Sequence, residues 1–101
     1  MLSTRDARIA RKVKRRISEI AEVKRLVVYG SRARGNPSKY SDLDLYIELN
    51  ATVNPALRRK IREIAWEVSL DSGVVITTLV ASERLKGQPI LKAIRAEGIA
   101  V

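Results

Sequence analysis

Apolar residues near the N-terminus of the chain return every three or four positions. This spacing is that of one face of an α-helix, so residues 5–24 are predicted to form an amphipathic helix. The apolar stripe of this helix consists of Ile9, Val13, Ile17 and Ile20. The positions between them are mostly basic, which gives the helix a polar outer face.

Two more helices are predicted farther along the chain from their end signals. Asn54 precedes Pro55, a favoured pair at a helix start, and an apolar stripe follows until Gly73 offers a stop. A last helix is predicted over residues 89–97, where Gly98 ends it. The chain between these helices has the pattern of strands.

Three segments have strand-like patterns. Residues 26–29 form a short apolar run that Gly30 stops, which predicts a buried strand. Residues 42–49 alternate strictly between polar and apolar, which predicts a strand with one face in the core. Residues 74–81 are predicted to form a third strand. The predicted element order is therefore αβ(loop)βαβα. This order indicates an α/β (α+β) fold with a small sheet.

Composition narrows the range of functions. The 101 residues suit one domain, and they contain neither cysteine nor histidine, so disulfides, thiolate chemistry and a histidine base are excluded. No apolar run is long enough for a membrane span, and the N-terminus lacks the apolar segment of a secretory signal, so we expect no membrane and a cytoplasmic location.

The net charge of +9 favours polyanionic partners. The run RKVKRR at residues 11–16 would suit an RNA-binding helix face, or it is an ordinary solvated face. No aromatic residue is interleaved with these basic residues, which argues against base stacking.

Asp42 and Asp44 stand two positions apart at the start of the second predicted strand. Two residues apart on a strand means the same face, with Cα atoms about 6.5 Å apart. Such like charges repel unless a cation lies between them, and paired carboxylates with substrate phosphates are typical Mg²⁺ ligands. The alternative is that Asp42 caps a turn and Asp44 is solvated.

Upstream of the aspartates, the first predicted strand ends in Gly30 and Ser31 and leads into Arg32 and Arg34. Residue 31 is a plausible start of a helix, and backbone N–H groups at the start of a helix bind phosphate. Glycine lets the backbone come close to the phosphate. The serine hydroxyl and the two guanidinium groups add further donors. An ordinary turn and solvated arginines would explain each feature singly, but together with the aspartates they indicate a triphosphate–Mg²⁺ site.

The segment GSRARGNPSKYSDLDLYI, residues 30–47, resembles the nucleotidyltransferase signature of the DNA polymerase β-like superfamily. It is most similar to the minimal nucleotidyltransferase (MNT) family, and the closing segment PILKAIRAEGIAV also resembles that family. The resemblance implies a polymerase β-like palm core, a small mixed β-sheet with flanking helices, over a single nucleotidyltransferase domain at residues 1–101.

The resemblance also implies roles for two sets of residues. Four would bind the phosphates of the nucleotide: Gly30, Ser31, Arg32 and Arg34. Two would be catalytic and ligate Mg²⁺: Asp42 and Asp44. The implied reaction is two-metal transfer of AMP from ATP to an acceptor hydroxyl.

The sequence departs from the superfamily at its third catalytic carboxylate. That acid belongs on a neighbouring strand, but residues 73–82 contain no Asp or Glu, and Thr77 or Thr78 stands about where it should be. Asp71 and Glu83 flank this strand and would substitute only if the register allowed it. Either catalysis survives, or a degenerate protein acts by binding alone.

MNT proteins pair with small helical HEPN proteins, which are ribonuclease toxins, and some add AMP to a tyrosine of the toxin. By resemblance, we expect a HEPN partner and an antitoxin function, with Trp66 either as an interface anchor or at the edge of the core. Tyr29 is expected in the core, whereas Tyr40 and Tyr46 would stack on adenine or line the strand. RNA binding or modification through the first helix, and a homo-oligomer, remain alternatives.

Overall fold

The helices and strands of the computed structural model, which describes residues 1–36, 38 and 40–101, alternate along the chain. In chain order, they are α1 (Thr4–Ser18), β1 (Val23–Tyr29), α2 (Ser31–Arg34), β2 (Leu43–Leu49), α3 (Pro55–Ser72), β3 (Ile76–Val80), a 3-10 turn (Glu83–Leu85), α4 (Pro89–Glu97) and β4 (Ile99–Ala100).

Within the described residues, four strands form one mixed sheet in the order β3–β2–β1–β4. The strand β2 pairs antiparallel with β1 and parallel with β3, and β4 pairs antiparallel with the other side of β1. The expected α/β fold with a small mixed sheet and flanking helices is confirmed. Strand β3 forms one edge of this sheet.

The main core lies between one face of the sheet and the helices α1 and α3. Its largest fully buried side chains include Ile17 of α1, Ile61 of α3 and Leu45 of β2. Both helices contribute predicted apolar stripes, without Ile20 in the case of α1, and the helices also pack on each other. Removal of these side chains from water is the main stabilising contribution to the fold.

The opposite face of the sheet is also partly covered, which the alternation in β2 does not predict. Val27, Tyr46 and Ile94 form a second buried cluster beneath α4. Tyr46 therefore lies in the interior, and only 7% of its surface is exposed. The alternating pattern in β2 identifies the sheet face that carries the larger core. It does not identify the second buried cluster, because Tyr46 stands among charged residues in the sequence.

The first helix ends earlier than predicted, at Ser18 rather than residue 24. The amide of Ala21 still donates to the carbonyl of Ile17, but Ile20 is exposed and the chain enters β1 at Val23. The register pairs Val23 with Leu49. Pairing with β2 thus overrides the local helical spacing, and β1 begins three residues before the predicted run.

The bounds of α3 and α4 agree with the sequence. The amide of Leu57 donates to Oδ1 of Asn54 over 2.8 Å, and Gly73 closes α3 in the left-handed conformation, with φ of 75°. Strand β3 is shorter than predicted. The sequence does not predict strand β4, because two residues are too few to show a period. In the described part of the chain, no helix has the length and hydropathy needed to cross a membrane.

Replacement of the N-cap of α3 tests this local account. In Asn54→Ala the amide of Leu57 loses its side-chain acceptor, so we expect the free energy of unfolding to fall by about 1 kcal/mol. Urea denaturation followed by circular dichroism measures this loss. Asn54→Ser is the control and should keep most of the stability; equal losses in the two variants would contradict the capping role.

Candidate functional site

Gly30 and Asp44 meet where β1 ends and β2 begins. The register places Tyr29 opposite Asp44, and Gly30 follows with a φ of 78°. A Cβ atom at Gly30 would lie 2.5 Å from Oδ2 of Asp44. Both the backbone conformation and this close approach require glycine, because Oδ2 of Asp44 occupies the space that a side chain at position 30 would need.

Thr77 lies beside Asp44 on the other neighbouring strand. The two residues are partners in the parallel register of β2 and β3, and the hydroxyl of Thr77 donates to Oδ1 of Asp44 over 2.6 Å. Thr78 pairs with the buried Leu45 and belongs to the opposite face of the sheet. Of the two predicted threonines, Thr77 therefore stands at the position expected for the third carboxylate.

Asp42 precedes β2 and is exposed, whereas Leu43 between the two aspartates is fully buried. This alternation places Asp42 and Asp44 on the same side of the strand, as predicted. Within residues 1–36, 38 and 40–101, neither aspartate forms an ion pair, although six other acidic residues do. Among the described residues, two carboxylates without an ion-pair partner thus share one side of the strand in a strongly basic chain.

These two carboxylates fit a hard divalent cation. Thr77 engages only one oxygen of Asp44, so the other oxygen, beside Gly30, and the carboxylate of Asp42 remain as ligands. The described residues contain no cluster of three or more Asp, Glu, His or Cys side chains suited to a metal. The donor set therefore suits one Mg²⁺ that completes its shell with phosphate oxygens and water.

Arg32 does not point its guanidinium into open solvent. It contacts both carboxylate oxygens of Asp6 at 3.1 and 3.2 Å and donates twice to the carbonyl oxygen of Ser41, at 2.7 and 2.9 Å. The side chains of Arg32 and Asp6 are only 11% and 3% exposed. In this conformation, Arg32 joins α1 to the residue before Asp42 and has no free donor pair for a phosphate.

Arg34 also has an acidic partner, Glu97 at the end of α4, at 2.9 and 3.1 Å. This pair is partly exposed, so water screens it and a competing phosphate could replace it. Ser31 is the first residue of α2, next to Gly30. Of the four predicted phosphate-binding residues, Gly30 lies beside Asp44, Ser31 follows it in the chain, and the two arginines are engaged in ion pairs.

The sequence analysis missed the acidic partners of the two arginines. Asp6 reads as an acidic residue in the first turn of a helix, where it also complements the helix dipole, and its partner is 26 positions away. Glu97 lies 63 positions from Arg34. No local pattern reveals such pairs; the only signal is that both acids lie in otherwise basic or apolar helices.

The aromatic residues near the site have different environments. Tyr46 is buried beneath α4 and lines the strand, Tyr40 is exposed, and Tyr29 is half-buried beside Asp44. Burial raises the pKa of Tyr29, and the negative charge of Asp44 raises it further. Trp66 is 64% exposed. Pro37 and Lys39 of the intervening loop lie outside the described residues.

The family model for the nucleotidyltransferase domain matches residues 10–99 of the chain. This chain belongs to the nucleotidyltransferase domain family. The match includes the glycine–serine corner and both aspartates of the nucleotidyltransferase motif, and no curated protein sequence matches the chain.

Several solved structures share the fold of this nucleotidyltransferase domain. A chain from a mutant of the toxin–antitoxin complex MntA–HpeT has a TM-score of 0.69 and 13% identity, over 94% of this chain and 70% of that one. A toxin–antitoxin complex with AMP-PNP gives 0.63 and 14%, over 87% and 68%. A complex of tri-AMPylated Shewanella oneidensis HEPN toxin with MNT antitoxin gives 0.64 and 14%, over 95% and 67%. The predicted resemblance to MNT proteins is thus confirmed in the fold.

The two motif arginines should differ sharply in their effect on stability. In Arg32→Ala, Asp6 is left buried without its partner, so we expect a loss of about 3–5 kcal/mol in the free energy of unfolding. In Arg34→Ala, an exposed ion pair is lost and the change should stay below about 1 kcal/mol. Chemical denaturation of both variants measures the difference, and similar values for the two would contradict the buried clamp.

The titration of Tyr29 reports on the charge of Asp44. Asp44→Asn should lower the raised pKa of Tyr29 toward its ordinary value, because it removes the neighbouring negative charge. A raised pKa favours the neutral phenol in the folded state, so its contribution to stability is complete below about pH 10 and is lost as pH rises through the raised value. Asp44→Asn should therefore weaken the pH dependence of stability in this alkaline window.

Ultraviolet absorbance of tyrosinate, with Tyr29→Phe to assign the transition, measures this shift. Glu48→Gln is the control, since Glu48 contributes to the raised pKa of Tyr46 and not to that of Tyr29. An unchanged Tyr29 transition in Asp44→Asn would show that Asp44 does not act on this phenol.

Proposed function

We propose that this nucleotidyltransferase domain transfers AMP from ATP to a hydroxyl group of a partner protein, with Mg²⁺ as its cofactor. The observation that carries the proposal is the pair Asp42 and Asp44, which has no ion-pair partner among the described residues and of which Asp44 lies against the glycine corner at Gly30. A structural role would not require two adjacent carboxylates without a counter-charge. A metal–triphosphate complex would supply that charge.

In this proposal, each residue of the corner acts on the nucleotide. Gly30 lets the triphosphate approach the backbone, and Ser31 can donate its hydroxyl to a phosphate oxygen. Arg34 would exchange its exposed pair with Glu97 for a phosphate. Arg32 would act indirectly, because its contact with the carbonyl of Ser41 fixes the chain just before Asp42.

The transfer itself is a displacement at the α-phosphorus of ATP. The acceptor hydroxyl gives its proton to solvent, its oxygen forms a bond to this phosphorus, the bond from phosphorus to the bridging oxygen breaks, and pyrophosphate leaves with the negative charge. Asp42 and Asp44 would hold Mg²⁺, which lowers the pKa of an attacking hydroxyl and stabilises charge on the phosphates. The two carboxylates suffice for one ion, and a second would depend on phosphate oxygens or on a group from the partner.

The partner we propose is a helical protein of the HEPN class, and the domain would be its antitoxin. The support is the shared fold with chains from toxin–antitoxin complexes, of which one contains a tri-AMPylated HEPN toxin and MNT antitoxin. At 13–14% identity this support concerns the fold, so the acceptor is part of the proposal.

A second candidate function is neutralisation by binding without transfer. Thr77 at the position of the third carboxylate favours it, because a hydroxyl that donates to Asp44 is not a base. The two candidates make opposite predictions for variants of the aspartates. Transfer needs both carboxylates, whereas a binding interface away from them does not.

Transfer of label from α-labelled ATP to a co-expressed HEPN protein distinguishes the two. We expect Mg²⁺-dependent labelling that falls by about a thousandfold or more in Asp42→Asn and Asp44→Asn, because several kcal/mol of charge stabilisation is lost. Thr77→Val, which frees Oδ1 of Asp44, should lose about tenfold. Glu63→Gln, at an exposed and unpaired acid of α3 in the described structure, is the control and should label normally.

Equal labelling by the wild type and by both aspartate variants would refute the proposed site. No labelling at all, together with a partner complex that forms equally well with every variant, would favour neutralisation by binding.

A further inference from the structure

We propose that the open edge of β3 receives an extended, acidic segment of a protein partner, which pairs with β3 as an added strand. The segment would lie in the groove between this edge and α3. The catalytic consequence of this inference rests on the proposed function, because it concerns how an acceptor hydroxyl reaches Asp44. The binding itself is independent of ATP and Mg²⁺ and is tested without them.

The main chain of β3 supplies the first observation. The amide of Leu43 donates to the carbonyl of Val75, and the amide of Ala81 donates to the carbonyl of Ile47, both over 2.8 Å. These bonds turn the odd-numbered residues of β3 toward β2, so the N–H and C=O groups of Thr78 and Val80 point to the open edge. Such a row of groups is a template for another strand.

The edge is closed at one end and open at the other. The hydroxyl of Ser69 on α3 accepts from the amide of Ile76 over 3.0 Å and therefore occupies the first outward-facing donor. Beyond it, the strand carries no proline and no charged side chain, which are the usual protections of an edge. The available stretch is thus Thr78–Val80, next to the candidate site.

A groove of about 340 Å³ runs along this edge and gives the added strand a place for side chains. Trp66 and Val75 line it and are 64% and 60% exposed. Large apolar side chains on a helix and the adjacent edge strand offer an anchor for one apolar residue of the segment. The groove also reaches Thr77, whose hydroxyl contacts Asp44.

Charge selects the occupant. The groove is lined by Arg62, which is exposed and forms no ion pair within the described residues, and its lining contains no acidic side chain. A second copy of the chain would bring another net charge of +9 to this edge, so self-pairing is disfavoured. An extended segment that alternates apolar and acidic residues complements both the groove and its charge.

The position of the edge connects this surface to the reaction. Neighbouring strands lie about 4.8 Å apart, so an added strand would be about 10 Å from the backbone of Asp44, with β3 between them. A long hydroxyl-bearing side chain on the Thr77 face of that strand would cross Thr77 toward the carboxylates. The small threonine at this position leaves the path open.

A peptide titration of the isotopically labelled protein tests the inference. The probe is a capped peptide of about eight residues that alternates valine with glutamate. We expect the amides of Thr78 and Val80 to become protected from hydrogen exchange, with chemical shift changes along β3 and α3. The same peptide with N-methyl groups on its pairing edge should not protect them.

Two variants with matched controls identify the groove. Trp66→Ala should weaken peptide binding by about tenfold, whereas Ile20→Ala, at another exposed apolar residue away from the groove, should not. Arg62→Glu should weaken binding of the glutamate peptide and improve binding of a lysine version. Lys60→Glu, on the side of α3 that faces α1, should not reverse this preference.

Three outcomes would overturn the inference. They are the absence of binding by both peptides, binding that survives N-methylation, and protection of Thr78 and Val80 without peptide in a dimer detected by sedimentation. Loss of AMP transfer with peptide binding intact would refute the proposed function alone. Transfer with no protection of the β3 edge would refute this inference alone.

Discussion

The buried ion pair between Arg32 and Asp6 is the contact on which the geometry of the site depends. Two charges with almost no exposure are costly to remove from water, and only close mutual contacts offset that cost. Here the guanidinium also donates twice to the carbonyl of Ser41, so its donors meet a carboxylate and a main-chain acceptor. One side chain thereby fixes α1, α2 and the approach to Asp42 relative to each other. Arg32 therefore stabilises the backbone next to the site, and its guanidinium contacts Asp6 and Ser41.

The sheet register then brings three residues of very different chemistry into one row. Tyr29 is opposite Asp44 on one side and Thr77 is opposite it on the other, with Gly30 directly after Tyr29. Each neighbour has a different relation to the carboxylate: the phenol of Tyr29 lies within range of its charge, Thr77 donates to one oxygen, and the absence of a side chain at Gly30 makes room for the other. The parallel pairing of β2 and β3 is what makes Thr77, and not Thr78, the neighbour.

Those features of the site that depend on local periodicity could be predicted from the sequence. The alternation in residues 42–49 places Asp42 and Asp44 on one side, and end signals locate α3 and α4 correctly. Features that depend on distant residues could not be predicted. Asp6 and Glu97 engage arginines that appear free in the sequence, and pairing with β2 places residues 23 and 24 of the predicted helix in β1. The small second cluster beneath α4 depends on how the C-terminal helix folds back, which no period within β2 encodes.

The threonine at position 77 changes the charge balance of the site as well as its shape. A third carboxylate would give the site three negative charges, whereas Asp42 and Asp44 give two, which one divalent cation neutralises. The hydroxyl of Thr77 adds a hydrogen-bond donor to Asp44 without adding charge. Any further cation would have to arrive with its own anions, and a nucleoside triphosphate carries them. The same threonine is small and uncharged at the border of the open β3 edge, so it allows an acidic segment to approach where a carboxylate would repel it.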